Sequence, residues 1–313
     1  LQWIERFEAP IRAVGVTDFY CRYLLLRLLS FNLDACRDRR SARATLRSKD
    51  VLEDIHSSVF AYLAYVFYFP LILRGPSLSY GSFIEQIVSQ DMAKEHGRFV
   101  SHEILLRLFC ELMKLAFYVF LLEIAVHTFY YPTLIFTEID RFLNIWEWTG
   151  YYCAYLSFMY VQGVITYGIP RILAAMDGIN APNDMPRCFF TASTSFRSHW
   201  RCYHASWNKW FLQYIYLPLG GGYVALWCVC LWSFLLHPFD EYWVKWSFIT
   251  TLALTVETFL KGRCDFYKNP NFIIRGLNHA IVAWVHIYIF DGTTSISARL
   301  FAYGIVVFMI VFE

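Results

Sequence analysis

The chain has 313 residues, 58% of them apolar and only 17% charged, with 20% aromatic and a net charge of +2. A soluble globular chain is about 45–50% apolar, so charge is too scarce here to coat water-exposed domains, and a membrane-embedded chain with aromatic belts accounts for the composition. The small net charge and the lack of an arginine-rich or glycine-aromatic segment exclude nucleic acid as the expected partner.

In chain order, Ala13 to Leu33 carries Asp18, Arg22 and Arg27 among its leucines. The interface, or the interior of a bundle, suits it better than a lipid-facing position. Arg37 to Lys49 (RDRRSARATLRSK) is the densest basic cluster, which the positive-inside rule puts on the cytoplasmic side within reach of anionic headgroups. It reads equally as a solvated loop with no specific partner.

A membrane-crossing helix takes about 20 mostly apolar residues. Ser57 to Leu73 is uncharged and closes at Arg74-Gly75-Pro76; Leu115 to Phe136 is interrupted only by Glu123; Tyr151 to Pro170 is uncharged and precedes Arg171. Phe211 to Phe239 is also uncharged, but Pro218 and Gly220-Gly221-Gly222 break a straight helix. It reads as a polar entry and loop, then a span from Tyr223 to Leu236, with the triglycine as a turn. Trp246 to Leu260 contains Glu257, Gly276 to Phe290 contains His279 and His286, and Leu300 to Phe312 runs into the terminus. The expectation is an all-α, polytopic membrane bundle of roughly six to eight crossings. One fused domain covers residues 1–313, cut at one or both ends, since the chain opens on Leu1 without a methionine. No repeat of fixed period supports a solenoid or an inverted-repeat transporter.

Nine cysteines is an odd number and implies no disulfide framework. Cys153, Cys228 and Cys230 lie in apolar runs as small hydrophobes, and Cys228 and Cys230 lack the second pair a zinc site needs. Neither H-E-x-x-H nor G-x-S-x-G occurs, so no metal is expected and a hydrolase triad is unsupported.

Ionisable groups at membrane depth are expensive unless they face a cavity or a partner, which makes them functional candidates. One cluster runs from His199 to Trp210 (HWRCYHASWNKW). If it is helical, His204 and Asn208 share a face, while Arg201 and Lys209 can meet a phosphate or headgroup; the alternative is an aromatic and basic interfacial anchor. The other is His237, which closes Leu231 to Leu236 and precedes Asp240, Glu241, Trp243, Lys245 and Trp246. An imidazole there is either a base near neutral pH or a hydrogen-bonded structural residue. His127, His279 and His286 carry the same two readings. Glu123 and Glu257 read either as part of a proton or solute path or as buried hydrogen-bond partners.

These stretches resemble the membrane-bound O-acyltransferase (MBOAT) superfamily, in the branch of Hedgehog acyltransferase and the fungal glycerol-uptake proteins. The resemblance is carried by Leu24 to Asp34 (LLLRLLSFNLD), Ala64 to Pro76 (AYVFYFPLILRGP) with Phe83-Ile84, and Gly168 to Pro186 followed by Arg187-Cys188. Trp200 to Gly221 adds His204, Asn208 and Tyr-Ile-Tyr-x-Pro-Leu-Gly-Gly. The second half carries the branch's characteristic histidine, with Trp246 nine residues after His237 and Glu257 eleven after Trp246. Leu236 and Pro238 depart from the usual flanking tryptophan and glycine or aspartate.

The resemblance implies acyl transfer from acyl-CoA in the endoplasmic reticulum membrane, with His237 as general base. His204 and Asn208 would be the second polar group; Arg201, Lys209 and Arg187 would meet the CoA phosphates, and Trp200 and Trp246 would line the substrate site. In the Hedgehog pattern, whose acceptor is a secreted protein, an acidic residue stands where His204 stands here. The His204 and Asn208 pair is similar to the fungal branch and favours a lipid or glycolipid hydroxyl, as in GPI-anchor remodelling. Cys188 matches a cysteine associated with haem in the Hedgehog branch, a buried structural cysteine being the other reading. A non-catalytic scaffold and a transporter are the rival functions.

Overall fold

The computed structural model describes residues 21, 23–36, 58–72, 75–95, 102–128, 143–188, 194–237, 241–264 and 272–291, and among these the regular structure is entirely helical. Helix α1 covers residues 23–36. It is followed by α2 (Val59–Val66), α3 (Phe69–Ile72), α4 (Tyr80–Glu95), α5 (His102–Thr128) and α6 (Ile145–Met176). Then come α7 (Phe196–Cys202), α8 (Ala205–Phe211) with a π-helical turn (Leu212–Tyr216), α9 (Gly222–Leu235), α10 (Glu241–Arg263) and α11 (Phe272–Asp291). None of the described helices is long and apolar enough to cross a membrane. Large apolar side chains nonetheless cover the outside of α5, among them Leu105, Phe109, Phe117 and Phe120, all exposed. Such a surface is stable against hydrocarbon or another protein rather than against water.

The expected span from Ser57 to Leu73 is broken at Phe67-Tyr68 into α2 and α3. Pro70 has no N–H to offer the Val66 carbonyl, four residues back. Arg27, buried in α1 at 4% exposure, supplies the missing donors. Its guanidinium donates to the carbonyls of Tyr65 at 2.8 Å, Val66 at 3.0 Å and Tyr68 at 3.4 Å. The Tyr23 and Tyr65 rings lie 5.6 and 5.7 Å from it. Of the interface and the bundle interior, the two places expected for this segment, the interior is where Arg27 sits.

Helix α1 fastens other elements in the same way. The Asp34 carboxylate accepts from Gly81 N–H at 3.1 Å, in the first turn of α4, and from the Tyr214 hydroxyl at 2.8 Å. Ser30 accepts from the Trp210 indole N–H at 2.7 Å. Leu26 belongs to an apolar core with Trp210, Phe211, Ile215 and Leu236. That core draws the end of α9 back over α8, so the residue after Leu236, His237, arrives beside the first histidine cluster.

The stretch after Phe211 is more helical than the expected polar entry: α8 passes into the π-helical turn before the chain reverses. The triglycine is a turn, as its composition implies. Gly220, Gly221 and Gly222 have φ of 78°, 73° and 78°, a region that L side chains rarely adopt. Tyr151 to Pro170 lies inside α6, whose start is closed by a reciprocal capping box between Asn144 and Glu147. Leu115 to Thr128 belongs to α5, in which Glu123 is exposed and within 2.8 Å of His127 Nε2. The basic cluster Arg37 to Lys49 and the segment Leu300 to Phe312 lie outside the described residues. All nine cysteines are free thiols.

Arg27→Met strands the Tyr65 and Val66 carbonyls in an apolar interior and is expected to cost on the order of 2–4 kcal/mol. The loss is read as a lower thermal midpoint of the detergent-solubilised protein, with Arg27→Lys recovering part of it. A Cβ at Gly220 or at Gly262 meets open space, but only Gly220 has a positive φ. Gly220→Ala should thus destabilise by about 1–2 kcal/mol, while Gly262→Ala, within α10, should be neutral or stabilising by up to about 1 kcal/mol.

Candidate active site

Helices α7 and α8 have seven residues each, too short to persist alone. Each is held at its N-terminus by a carboxylate from elsewhere in the chain. At α7, the Ser195 hydroxyl donates to Glu257 Oε1 at 2.6 Å and the Arg197 N–H donates to Oε2 at 3.2 Å. Glu257, 2% exposed on α10, also pairs with Lys261. At α8, the Ser206 N–H and hydroxyl each donate to a carboxylate oxygen of Asp184 at 2.7 Å. The Ser77 N–H in turn donates to Ser206 Oγ at 2.8 Å. Both carboxylates sit where the helix dipole favours negative charge. Asp184, 1% exposed in the irregular segment between α6 and α7, is pushed up to about 6 by burial, with the two Ser206 hydrogen bonds opposing the shift.

His204 occupies the step between the two helices. With φ 52° it is the sole non-glycine residue with positive φ among those described, a conformation that costs about 1–2 kcal/mol. Its N–H donates to the Asp184 carbonyl at 2.9 Å. The ring is thereby turned toward α6, where the Tyr167 hydroxyl lies 3.4 Å from Nε2.

His237 follows the end of α9. Its Nδ1 is 2.7 Å from the Ser233 carbonyl oxygen. A carbonyl only accepts, so Nδ1 carries the proton and Nε2 carries the lone pair, the tautomer a general base requires. The ring stacks on Trp243 with centroids 4.2 Å apart.

Six rings close a circuit around this place. His237 is 5.2 Å from Trp246, which is 5.6 Å from Trp200. Trp200 is 6.2 Å from Tyr203, and Tyr203 is 4.4 Å from His204. His204 is 6.0 Å from Trp207, which is 6.5 Å from His237. Both histidines are half-buried within an aromatic surround, where an electrostatic interaction is stronger than in water.

Of the residues singled out from the sequence, His204, His237, Trp200 and Trp246 come together. Asn208, half-exposed, follows Trp207 on the first turn of α8, but no described contact joins it to His237. Arg201 and Lys209 are exposed on α7 and α8. Arg187 does not join them: it lines a separate cavity of about 310 Å³, with Lys114 and Arg171, between α5, α6 and the irregular segment. Arg171 is tied there to Glu111 at 2.5 Å. Cys188 is exposed, which overturns its reading as a buried structural cysteine, and it is not among the side chains lining that cavity. The described residues therefore build no walled pocket for a haem on its thiolate. Glu257 proves to be a buried hydrogen-bond partner, and Glu123 an exposed one; neither stands in a polar path among the described residues. His279 is fully buried in α11.

Sequence reasoning missed Asp184, Tyr167 and Trp207. Asp184 lies inside the Gly168 to Pro186 stretch, but nothing in the spacing of Asp184 and Ser206 announces their pairing.

With this geometry established, comparison places the chain: the profile of the MBOAT, membrane-bound O-acyltransferase family matches residues 9–297, and the chain belongs to that family of membrane-bound proteins. It is similar to mouse protein-cysteine N-palmitoyltransferase HHAT, 29% identical over 238 residues, which are 73% of this chain and 45% of that protein. Membrane-bound O-acyltransferase GUP2 of Saccharomyces cerevisiae is 27% identical over 296 residues, 80% of this chain and 46% of the relative. Protein-cysteine N-palmitoyltransferase Rasp of Drosophila melanogaster is 27% identical over 275 residues, 83% and 51% respectively. The chain spans about half the length of the curated relatives it matches. The branch read from the motifs is the one found.

Glu257→Ala and Asp184→Ala each remove an N-terminal cap, with an expected cost of about 1–2 kcal/mol. Limited trypsin digestion should cut faster at Arg197 and Arg201 in the first variant and at Lys209 in the second. Equal cleavage in all three proteins would contradict the capping roles.

Proposed function

We propose that this chain forms the reaction centre of a polytopic acyltransferase of the endoplasmic reticulum membrane. It transfers a long-chain acyl group from acyl-CoA to a lipid or glycolipid hydroxyl, with His237 as general base. The observation that carries this reading is the Nδ1–H bond to the Ser233 carbonyl, which leaves the lone pair on Nε2 of an imidazole that belongs to the aromatic circuit. In the reaction, Nε2 takes the proton of the acceptor hydroxyl as its oxygen attacks the thioester carbonyl. The new C–O bond forms, the C–S bond breaks, and the imidazolium returns the proton to the CoA thiolate. An acyl thioester is already activated, so alignment and proton transfer are the protein's main tasks. His204, across Trp207, orients the acceptor, and Asn208 supports it. Arg201 and Lys209 meet the CoA phosphates at the exposed edge of α7 and α8. The presence of His204, where the Hedgehog pattern has an acid, favours the hydroxyl acceptor over a secreted protein's amine.

Membranes holding the full-length protein, incubated with radiolabelled palmitoyl-CoA, should place label in the lipid fraction. His237→Ala should lower that rate by about 10²–10⁴-fold at unchanged protein level, and His204→Ala and Asn208→Ala should lower it less. Label in protein instead of lipid overturns the hydroxyl acceptor. No transfer at all overturns the enzymatic reading in favour of a scaffold or transporter.

A further inference from the structure

Two buried hydrogen-bond donors lie one turn apart on α10, the first of them beside His237. The Trp246 indole N–H and the Thr250 hydroxyl lack a hydrogen-bond partner among the described residues, although their side chains are only 6% and 5% exposed. Such groups are uncommon in folded proteins and each calls for a reason. Thr250 stands out against its own helix. Thr251, Thr255 and Thr258 of α10 each donate to the carbonyl four residues back, at 2.6, 2.7 and 2.7 Å. The same bond from Thr250 would go to the Trp246 carbonyl, and it is not made.

The two residues are one helical turn apart and therefore share a face of α10. Trp246 contacts His237 on α9's side and Trp200 on α7. Glu257, two turns beyond Thr250 on the same helix, is bonded to the start of α7. The stripe of Trp246, Thr250 and Glu257 thus meets α7 at both ends, with Trp246 beside the imidazole and Thr250 one turn further on.

We propose that Trp246 and Thr250 bind the thioester carbonyl of the acyl donor and stabilise the oxyanion that develops on it. This rests on the acyltransferase reading and extends it. When the acceptor oxygen adds to the carbonyl carbon, the carbonyl π electrons move onto oxygen, and the indole N–H and threonine O–H donate to that oxygen. The charge returns to re-form the carbonyl as the C–S bond breaks and the CoA thiolate takes the proton from His237. Donors already fixed in a dry site need no reorganisation at that moment, and loss of one lowers turnover by about 10²–10³-fold in comparable sites. The acyl carbonyl is an acceptor that can satisfy both donors while its carbon is open to attack, which a structural role for the two groups does not explain.

The test uses Trp246→Phe, Thr250→Val and Thr250→Ser in the full-length protein, assayed in membranes with radiolabelled palmitoyl-CoA. The first two variants should lose about 10²-fold in kcat, with Thr250→Ser within a few fold of the unsubstituted protein. Two non-transferable probes separate binding of the carbonyl from folding: S-hexadecyl-CoA has no carbonyl in its alkyl chain, and S-(2-oxoheptadecyl)-CoA has one. The unsubstituted protein should bind the ketone more tightly; Trp246→Phe and Thr250→Val should abolish that preference while binding the thioether unchanged. Retention of kcat within about threefold, or equal loss of both probes, overturns the oxyanion assignment and leaves the acyltransferase reading standing. No transfer by the unsubstituted protein overturns the acyltransferase reading, and this assignment with it.

Discussion

The candidate site is carried by two helices that cannot stand alone, and its shape depends on carboxylates buried against their first turns. Glu257 fixes the start of α7 and Asp184 the start of α8. Between them the chain has no freedom left: the Asp184 carbonyl takes the His204 N–H and holds that residue left-handed. The strain at His204 is thus met by a bond to the same residue whose carboxylate caps α8. Because Glu257 is on α10 and Asp184 follows α6, the two short helices report the positions of both flanking long ones.

The aromatic circuit follows from that arrangement. Trp200, Tyr203, His204 and Trp207 come from one run of eight residues whose direction is set by the two caps, and His237 and Trp246 close the ring from α9 and α10. Aromatic rings exclude water from the space they line. The bond to the Ser233 carbonyl chooses the tautomer and makes Nε2 the basic nitrogen of His237.

Much of this was legible in the residues. The apolar composition implied helices in a membrane, Gly220 to Gly222 implied a turn, and the intervals from His237 to Trp246 and Glu257 pointed to one branch of one family. What those intervals do not reveal is division of labour. Glu257 is in the motif because it caps a helix, which becomes visible only when α7 is laid against α10. Asp184 carries no signal of its own in the sequence because its partner Ser206 lies on another element, and Arg187 is indistinguishable there from Arg201 and Lys209 because charge alone does not say which wall a side chain lines. The break in Ser57 to Leu73 was hidden for a related reason: Pro70 weakens a helix wherever it occurs, but an uncharged run with its donors supplied from elsewhere looks continuous in hydropathy.

The bond between Arg27 and the end of α2 also couples the folding of two segments of the chain. The break between α2 and α3 leaves carbonyls that an apolar interior will not accept unsatisfied, and their donor lies upstream on α1. Without those carbonyls the buried Arg27 guanidinium is itself an unmatched charge. Each segment is thus the condition for the other's burial, so α1 and the α2–α3 pair form one cooperative unit that orders or melts together.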